Sequence, residues 1–395
     1  MRILLLHDVD GWSFHNISRS IRAASNTLEP GRHDFRVLNR GQWAGNPEVL
    51  LEALAWSQVQ VFFWRFDLAV AAELLDGTAA QRARLIAILT ERITVTLVYD
   101  HIYHAVADLA EFGDPFAISD LCAVSSPKLM EVYTQADHLP TPDLVLRDGV
   151  DLQKFAPAAR PDFTTHPLRI GWVGKSNWGS SLSPNIKGFE SIFQPALQIV
   201  ADRGLRFETR IADPLTSPVA SNQMPAFYAD VDILVCTSAM EGTPNPVLEA
   251  MAMGKIVIST DVGVVRCVLG PIQQQMILPR NPQAFADAIC RLAGDPDLMQ
   301  QMAQESLERR KALSWENRYQ EWQSLFSLAE QRLGDQERRD RKAQALTAFL
   351  NRRRSVLSRV RRFIFMRPRL YRVYMRLLAS QPRTIKVMRG ILRRV

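Results

Sequence analysis

Short β-rich apolar runs alternate with helical stretches along this chain, and after a proline-rich interruption the same alternation begins again. Strands that recur only after a helical stretch pair in parallel through crossover helices, which makes an α/β chain. The restart makes two such domains. Arg2–His7, Val59–Trp64, Ile93–Tyr99 and Leu121–Val124 read as strands of the first, with helices over Phe14–Ser25, Ala79–Glu91 and Lys128 to about Gln135. The stretch Leu139–Pro167 holds Pro140, Pro142, Pro157, Pro161 and Pro167 and reads as a connector. Beyond it, Leu168–Val173, Phe207–Ile211, Ile233–Cys236 and Ile256–Ser259 read as strands. Phe189–Asp202, Pro246–Met253 and Pro282–Ala293 read as helices. From Asp295 to about Leu333 the chain reads as helical, with Trp315, Tyr319, Trp322 and Phe326 forming a stripe that needs a surface to cover.

Length and composition agree with two packed domains: 395 residues, 47% hydrophobic and 23% charged, exclude disorder as the main state. No apolar run approaches the ~18 residues of a membrane-spanning helix. The apolar start Ile3–Leu6 is stopped by His7, Asp8 and Asp10, short of a secretory signal, so the expected location is the cytoplasm. Cys122, Cys236, Cys267 and Cys290 are widely separated among apolar neighbours and read as reduced thiols rather than metal ligands. The net charge of +7 conceals an asymmetry. Residues 1–330 carry 28 Lys and Arg against 38 Asp and Glu; residues 331–395 carry 20 against 3.

The segment Glu241-Gly-Thr-Pro-Asn-Pro-Val-Leu-Glu249-Ala-Met-Ala-Met-Gly254 follows a buried strand directly. Asn245 suits an N-cap, Pro246 the first helical position and Gly254 a left-handed stop, so a two-turn helix is expected to aim its N-terminus past the end of that strand. Free amides and the helix dipole favour an anion such as a diphosphate there. Glu249, one turn inside, can accept hydrogen bonds from ribose hydroxyls, and Glu241, before the helix, from sugar hydroxyls. The plainer alternative is a capped helix with two solvated glutamates.

Two glutamates separated by seven residues around Gly-x-Pro-x-Pro, followed by Glu-Ala-Met-Ala-x-Gly, resemble the donor-site signature of the family-4 retaining glycosyltransferases of the GT-B fold. Arg147-Asp-Gly-Val-Asp-Leu-Gln-Lys-Phe-Ala-Pro157 resembles the family's connector, and Ile170-Gly-Trp-Val-Gly-Lys175 with Lys187-Gly188 its glycine loop and two cationic residues. Pro225-Ala-Phe-Tyr228 before Ala229-Asp-Val-Asp-Ile233, and Ser314-Trp-Glu316, also fit. The resemblance covers roughly residues 1–330 and is strongest in the second half. It implies two doubly wound Rossmann-like domains facing a cleft. Residues 1–150 form the acceptor side, 151–310 the nucleotide-sugar donor domain and 311–333 a closing helix that crosses back, leaving 334–395 as a basic helical extension. It also implies a donor site of Gly174, Lys175, Lys187, Gly242, Thr243, Asn245, Val247 and Glu249, with Lys187, Glu241 and His101 taking part in catalysis. Two cations with helix amides would stabilise a leaving diphosphate without a metal. Lys175 stands where the family usually has Arg, which removes a bidentate contact.

The first domain departs from the family, having Asp8-Val-Asp-Gly-Trp12 where a Gly-Gly pair is usual. Asp8 and Asp10 also match an Asp-x-Asp metal motif, but that motif belongs to a different glycosyltransferase fold and no metal site is assigned. For the histidine that contacts the donor sugar, His101 is the candidate, with Asp100 or a structural polar turn as alternatives. In the tail, Leu346, Phe349 and Leu350, then Val356, Leu357 and Val360, then Leu370, Val373, Tyr374, Leu377 and Leu378 alternate with Arg, describing basic amphipathic helices. An anionic membrane face is the functional reading, helices docked on the acidic body the plain one; nucleic acid is not expected. The chain is thus expected to be a retaining, metal-independent hexosyltransferase that uses a nucleoside-diphosphate sugar and no other cofactor. Its acceptor would be a saccharide or lipid-linked molecule in cell-surface polysaccharide or glycolipid synthesis, on the inner face of the plasma membrane. Rival readings are a GT-B nucleotide-sugar epimerase and a non-catalytic GT-B scaffold.

Overall fold

The computed structural model describes residues 1–102, 104–157, 163–178 and 185–352, and of the rest 359–360, 363–364, 367, 369–370 and 373. The chain divides into two units, Met1–Leu146 with Tyr319–Val395, and Arg147–Arg318.

The first unit is built on strands β1 (Arg2–His7), β2 (Asp34–Asn39), β3 (Val59–Phe62), β4 (Ile93–Val98), β5 (Leu121–Val124) and β6 (Leu144–Val145). They pair in the order β2-β1-β3-β4-β5-β6, every neighbour parallel. Strands β3, β4 and β5 are buried along their whole length, as a sheet covered on both faces requires. Among the elements that escape the sequence reading, two do so for opposite reasons. Strand β2 is an edge strand with little burial, so its apolar alternation is faint. The helix Phe66–Leu75 is buried at all ten positions, so it carries no amphipathic period.

In the second unit β7 (Leu168–Val173), β8 (Phe207–Ala212), β9 (Ile233–Cys236) and β10 (Ile256–Ser259) form a parallel sheet of order β10-β9-β7-β8. The connector belongs to this unit from Arg147 onward: Val150 N donates to Leu313 O at 2.8 Å, and Gly149 runs so close to Trp315 that a Cβ would lie 2.7 Å from its Cα. The unit boundary therefore falls at residue 146, a few residues before the expected 150. The helical stretch expected from Asp295 to about Leu333 consists of Pro296–Arg309, a tight turn Arg310–Leu313, and Trp315–Arg332, whose start is capped by Ser314 Oγ accepting from Asn317 N at 3.2 Å. The aromatic stripe finds its surface in part on the first unit, where Trp322 and Phe326 are buried, Trp322 against Phe63 and Phe326 against His33 and Phe35.

The basic extension needs a correction. Its first helix, Gln336–Asn351, is part of the first unit's core, with Leu346, Phe349 and Leu350 buried alongside Leu85 and Leu89. Arg338 and Lys342 on the same helix are buried as well, both paired with Asp120. Arg352 closes the segment on Glu73 at 2.6 Å. Docking on the acidic body thus describes residues 336–352. The later apolar rows lie mostly outside the described residues; of those described, Val360 is half-buried and Leu370 and Val373 are exposed, as is Phe363 nearby.

Candidate active site

In the sheet order β10-β9-β7-β8, chain direction across the sheet reverses between β7 and β9. Loops leaving the carboxyl ends of such a pair diverge and open the crevice where ligands of parallel sheets bind. Gly174 and Lys175 occupy the turn after β7, with Gly174 N held by Ala212 O at 3.0 Å. Residues Thr237–Thr243 form the loop after β9.

Lys187 is the best-organised cation. Its ammonium donates to Glu241 Oε1, an oxygen that also accepts from Ser238 Oγ at 2.7 Å, and it stands 5.0 Å from the Trp178 ring centroid. Its backbone is tied down too. Lys187 O accepts from Thr237 Oγ1 at 2.8 Å, and Trp172 Nε1 donates to that hydroxyl at 3.3 Å. Gly188 follows at φ +70°, and a Cβ there would lie 2.4 Å from Thr237 O, so neither conformation nor space admits a side chain. Directly after it, Phe189–Phe193 forms a π-helical turn that opens the helix Gln194–Asp202. Arg280 spans the same region, donating through Nε to Thr237 O at 3.0 Å and through its terminal nitrogen to Asn185 O. Lys175, by contrast, makes no ion pair among the described residues.

The expected helix is present as Asn245–Ala252, one residue early: Pro244 holds the cap position and Asn245 is the first helical residue, not the N-cap. Pro244 has no side-chain acceptor to cap the start, and Asn245 N is held by Thr243 O at 2.9 Å. Gly254 adopts the left-handed conformation at the far end, φ +75°. Gly242 is buried, and Gly263, at φ +54°, comes so near that a Cβ would lie 2.1 Å from Gly242 O. Val247 is packed in the core beneath.

Glu249 is half-buried on the inner face of this helix, where Tyr228 Oη donates to its Oε2 at 2.7 Å. Burial pushes its carboxyl up to about 7, opposed by the Tyr228 hydrogen bond and the charge of Lys154. Burial likewise raises Tyr228, so it stays a phenol and a donor. The structure therefore brings Lys187, Glu241, Gly242, Thr243, Asn245 and Glu249 onto one loop–helix region. His101 belongs to the first unit. There Asp100 is engaged with Arg65 at 3.2 Å and Ile102 N at 2.9 Å, while the His101 ring stands edge-on to His104, its pKa lowered by burial and then by His104. Ser238, Thr237, Trp178 and Arg280 were not anticipated. Only Tyr228 carried a signal, inside the Pro225–Tyr228 motif. Among the described residues of the second unit, no set of His, Cys, Asp or Glu stands at metal-ligand spacing.

Comparison with known proteins agrees with this geometry. The sequence model of the family described as Glycosyl transferases group 1 matches residues 184–295, the segment that holds Lys187, Glu241 and Glu249. A Bacillus subtilis (strain 168) protein named for teichuronic acid biosynthesis, glycosyltransferase TuaC, is 39% identical over 77 residues, 20% of each chain. D-inositol 3-phosphate glycosyltransferase of Corynebacterium urealyticum is 27% identical over 110 residues, 28% of this chain and 26% of the relative. The chain thus spans only a fifth to a quarter of the length of these curated relatives. The fold extends much further. Sucrose-phosphate synthase of Thermosynechococcus elongatus superposes with a TM-score of 0.58 over 84% of this chain and 99% of that one, at 14% identity. HepE of Anabaena, solved in complex with UDP, gives 0.58 over 83% and 100%, also at 14% identity. The chain thus has the GT-B fold of these structures, and its residues 184–295, which hold Lys187, Glu241 and Glu249, match the model of the glycosyl transferases group 1.

Proposed function

We propose that this protein is a glycosyltransferase that takes a sugar from a nucleoside-diphosphate sugar and passes it, with retention of anomeric configuration, to a saccharide or lipid-linked acceptor in cell-surface polysaccharide or glycolipid synthesis. The observation that carries the proposal is the Lys187–Glu241 pair beside the N-terminus of the helix that bears Glu249. When the bond between the sugar and the nucleoside diphosphate breaks, its electron pair goes to the leaving diphosphate and negative charge grows on the phosphate oxygens. A lysine held in place by its backbone and a carboxylate is preorganised to meet that charge, so it costs little to reorganise. Lys175 is the second cation in this reading, and with the helix amides the pair makes a metal unnecessary for departure of the diphosphate. Glu241, once Lys187 turns to phosphate, accepts hydroxyls of the sugar; Glu249 accepts those of the ribose. His101 is the candidate for contact with the donor sugar. Transfer of a hexose, action in the cytoplasm, and attachment to an anionic membrane face through residues 353–395 complete the reading.

The test is a thermal-shift panel of uridine, guanosine and adenosine diphosphate sugars, the uridine series first because HepE was solved with UDP. One series should stabilise the protein by about 2.7 kcal/mol at 100 times its dissociation constant. That donor should then be hydrolysed slowly by the purified protein. Folded protein that responds to none of the panel overturns the proposal, and an inverted anomer in the product overturns retention.

A further inference from the structure

The first unit holds a side-chain cluster that the transfer reaction does not use. His7 ends β1, Asp10 follows on the loop, and His15 lies in the first turn of the helix Ser13–Leu28. Asp10 Oδ1 stands 2.9 Å from His15 Nδ1 and 3.5 Å from His7 Nε2, and one ligand atom from each of the three lies within 4.8 Å of the others. His7 is 1% exposed. Its Nδ1 has no hydrogen-bond partner among the described residues, and its Nε2 faces Asp10 at a distance too long for a good hydrogen bond. A satisfied core histidine does not look like this. The other carboxylate oxygen of Asp10 is oriented from behind, accepting from Asn39 Nδ2 at 2.6 Å, which leaves Oδ1 turned to the two imidazoles.

We propose that His7, Asp10 and His15 bind a divalent transition metal ion of the zinc class. Two ligands at 2.0–2.1 Å on a tetrahedral ion stand about 3.3 Å apart, close to the two nitrogen–oxygen separations seen here. Two imidazoles and a carboxylate are a borderline-soft donor set that suits zinc and its neighbours rather than magnesium or calcium. The hydrogen bond from Asn39 is the outer-shell support that ligating carboxylates ordinarily have. Position agrees as well. The sheet order β2-β1-β3 reverses chain direction at β1, so the carboxyl end of β1 is the topological switch point, where ligands of open parallel sheets bind. Asp10 and His15 are partly open to solvent, which leaves a fourth position for water or an anionic oxygen. Asp10, set aside as half of an Asp-x-Asp pair, thus acts with histidines instead.

Cobalt(II) serves as the probe, added to the full-length protein after treatment with chelator. Visible d–d bands of a tetrahedral site should saturate at one equivalent and be displaced by zinc. His15→Ala, at a half-buried position, and Asp10→Ala, at an exposed one, should abolish the bands at that equivalent while far-UV circular dichroism stays unchanged; Asp8→Ala should keep them. Absence of saturable bands in the folded wild type overturns the proposal. So do bands that persist in both variants, which would move the ion to other ligands such as His101 and His104.

Discussion

At the scale of single residues, burial and pairing separate side chains that look alike in sequence. Lys175 and Lys187 occupy comparable glycine-flanked positions, yet only Lys187 is bonded to a glutamate. Lys187→Ala should therefore lower turnover about a hundredfold with the fold intact, measured as steady-state transfer or donor hydrolysis. Glu249 permits a pH prediction. Its folded pKa of about 7 lies above its ordinary 4.5, so between those values the native protein keeps a proton that the unfolded chain has lost. Stability must then fall as pH rises through that window, by up to about 3 kcal/mol, with the loss complete above it. Denaturant unfolding at about pH 5 and about pH 7.5 should reveal this slope in the wild type and a flatter one in Glu249→Gln.

At the scale of elements, the helix Gln336–Asn351 is the case where chemistry in sequence points one way and packing another. Its arginines and lysine suggest a solvated or membrane-facing surface, but Asp120 receives Arg338 at 2.9 Å and also Lys342, and accepts from Thr94 N at 2.7 Å. Asp120→Ala leaves two buried cations without their anion and should cost about 3–5 kcal/mol, read from denaturant midpoints. A chain ending at residue 334 loses the apolar cover over Leu85 and Leu89 and should unfold at markedly lower temperature; one ending at residue 352 should melt like the full chain. Equal melting of the two truncations would show that this helix does not belong to the core.

At the scale of the whole molecule, residues 353–395 carry 14 Lys and Arg and no Asp or Glu. Each such cation near an anionic bilayer contributes up to about 1 kcal/mol. Exposed Phe363, Leu370 and Val373 add apolar burial that salt does not screen. Full-length protein should co-sediment with anionic vesicles and weaken, without full release, as salt shortens the electrostatic reach to about 8 Å at physiological ionic strength. The chain ending at residue 352 should stay in the supernatant and keep donor hydrolysis. Equal sedimentation of the two would assign the basic residues to another partner.

The amino-acid sequence by itself determined the strands whose apolar runs stop at a polar or turn residue: β1, β5, β7, β9 and β10 stand at the residues expected, whereas β3 and β4, followed in sequence by the aromatic residues Phe63, Trp64 and Tyr99, end two residues and one residue sooner than expected. It also placed the short helix before Gly254 to within one residue, since local turn and helix chemistry is written in adjacent residues. Tertiary structure alone decided what long separations bring together. Ser238 and Lys187 meet on one oxygen of Glu241, Tyr228 meets Glu249, Asp120 meets Lys342, and His7 and His15 converge on Asp10. Where a charge ends up, in water or inside the protein, depends on which distant partner the fold delivers. That choice is made by the energy of desolvation and pairing, which no local pattern encodes.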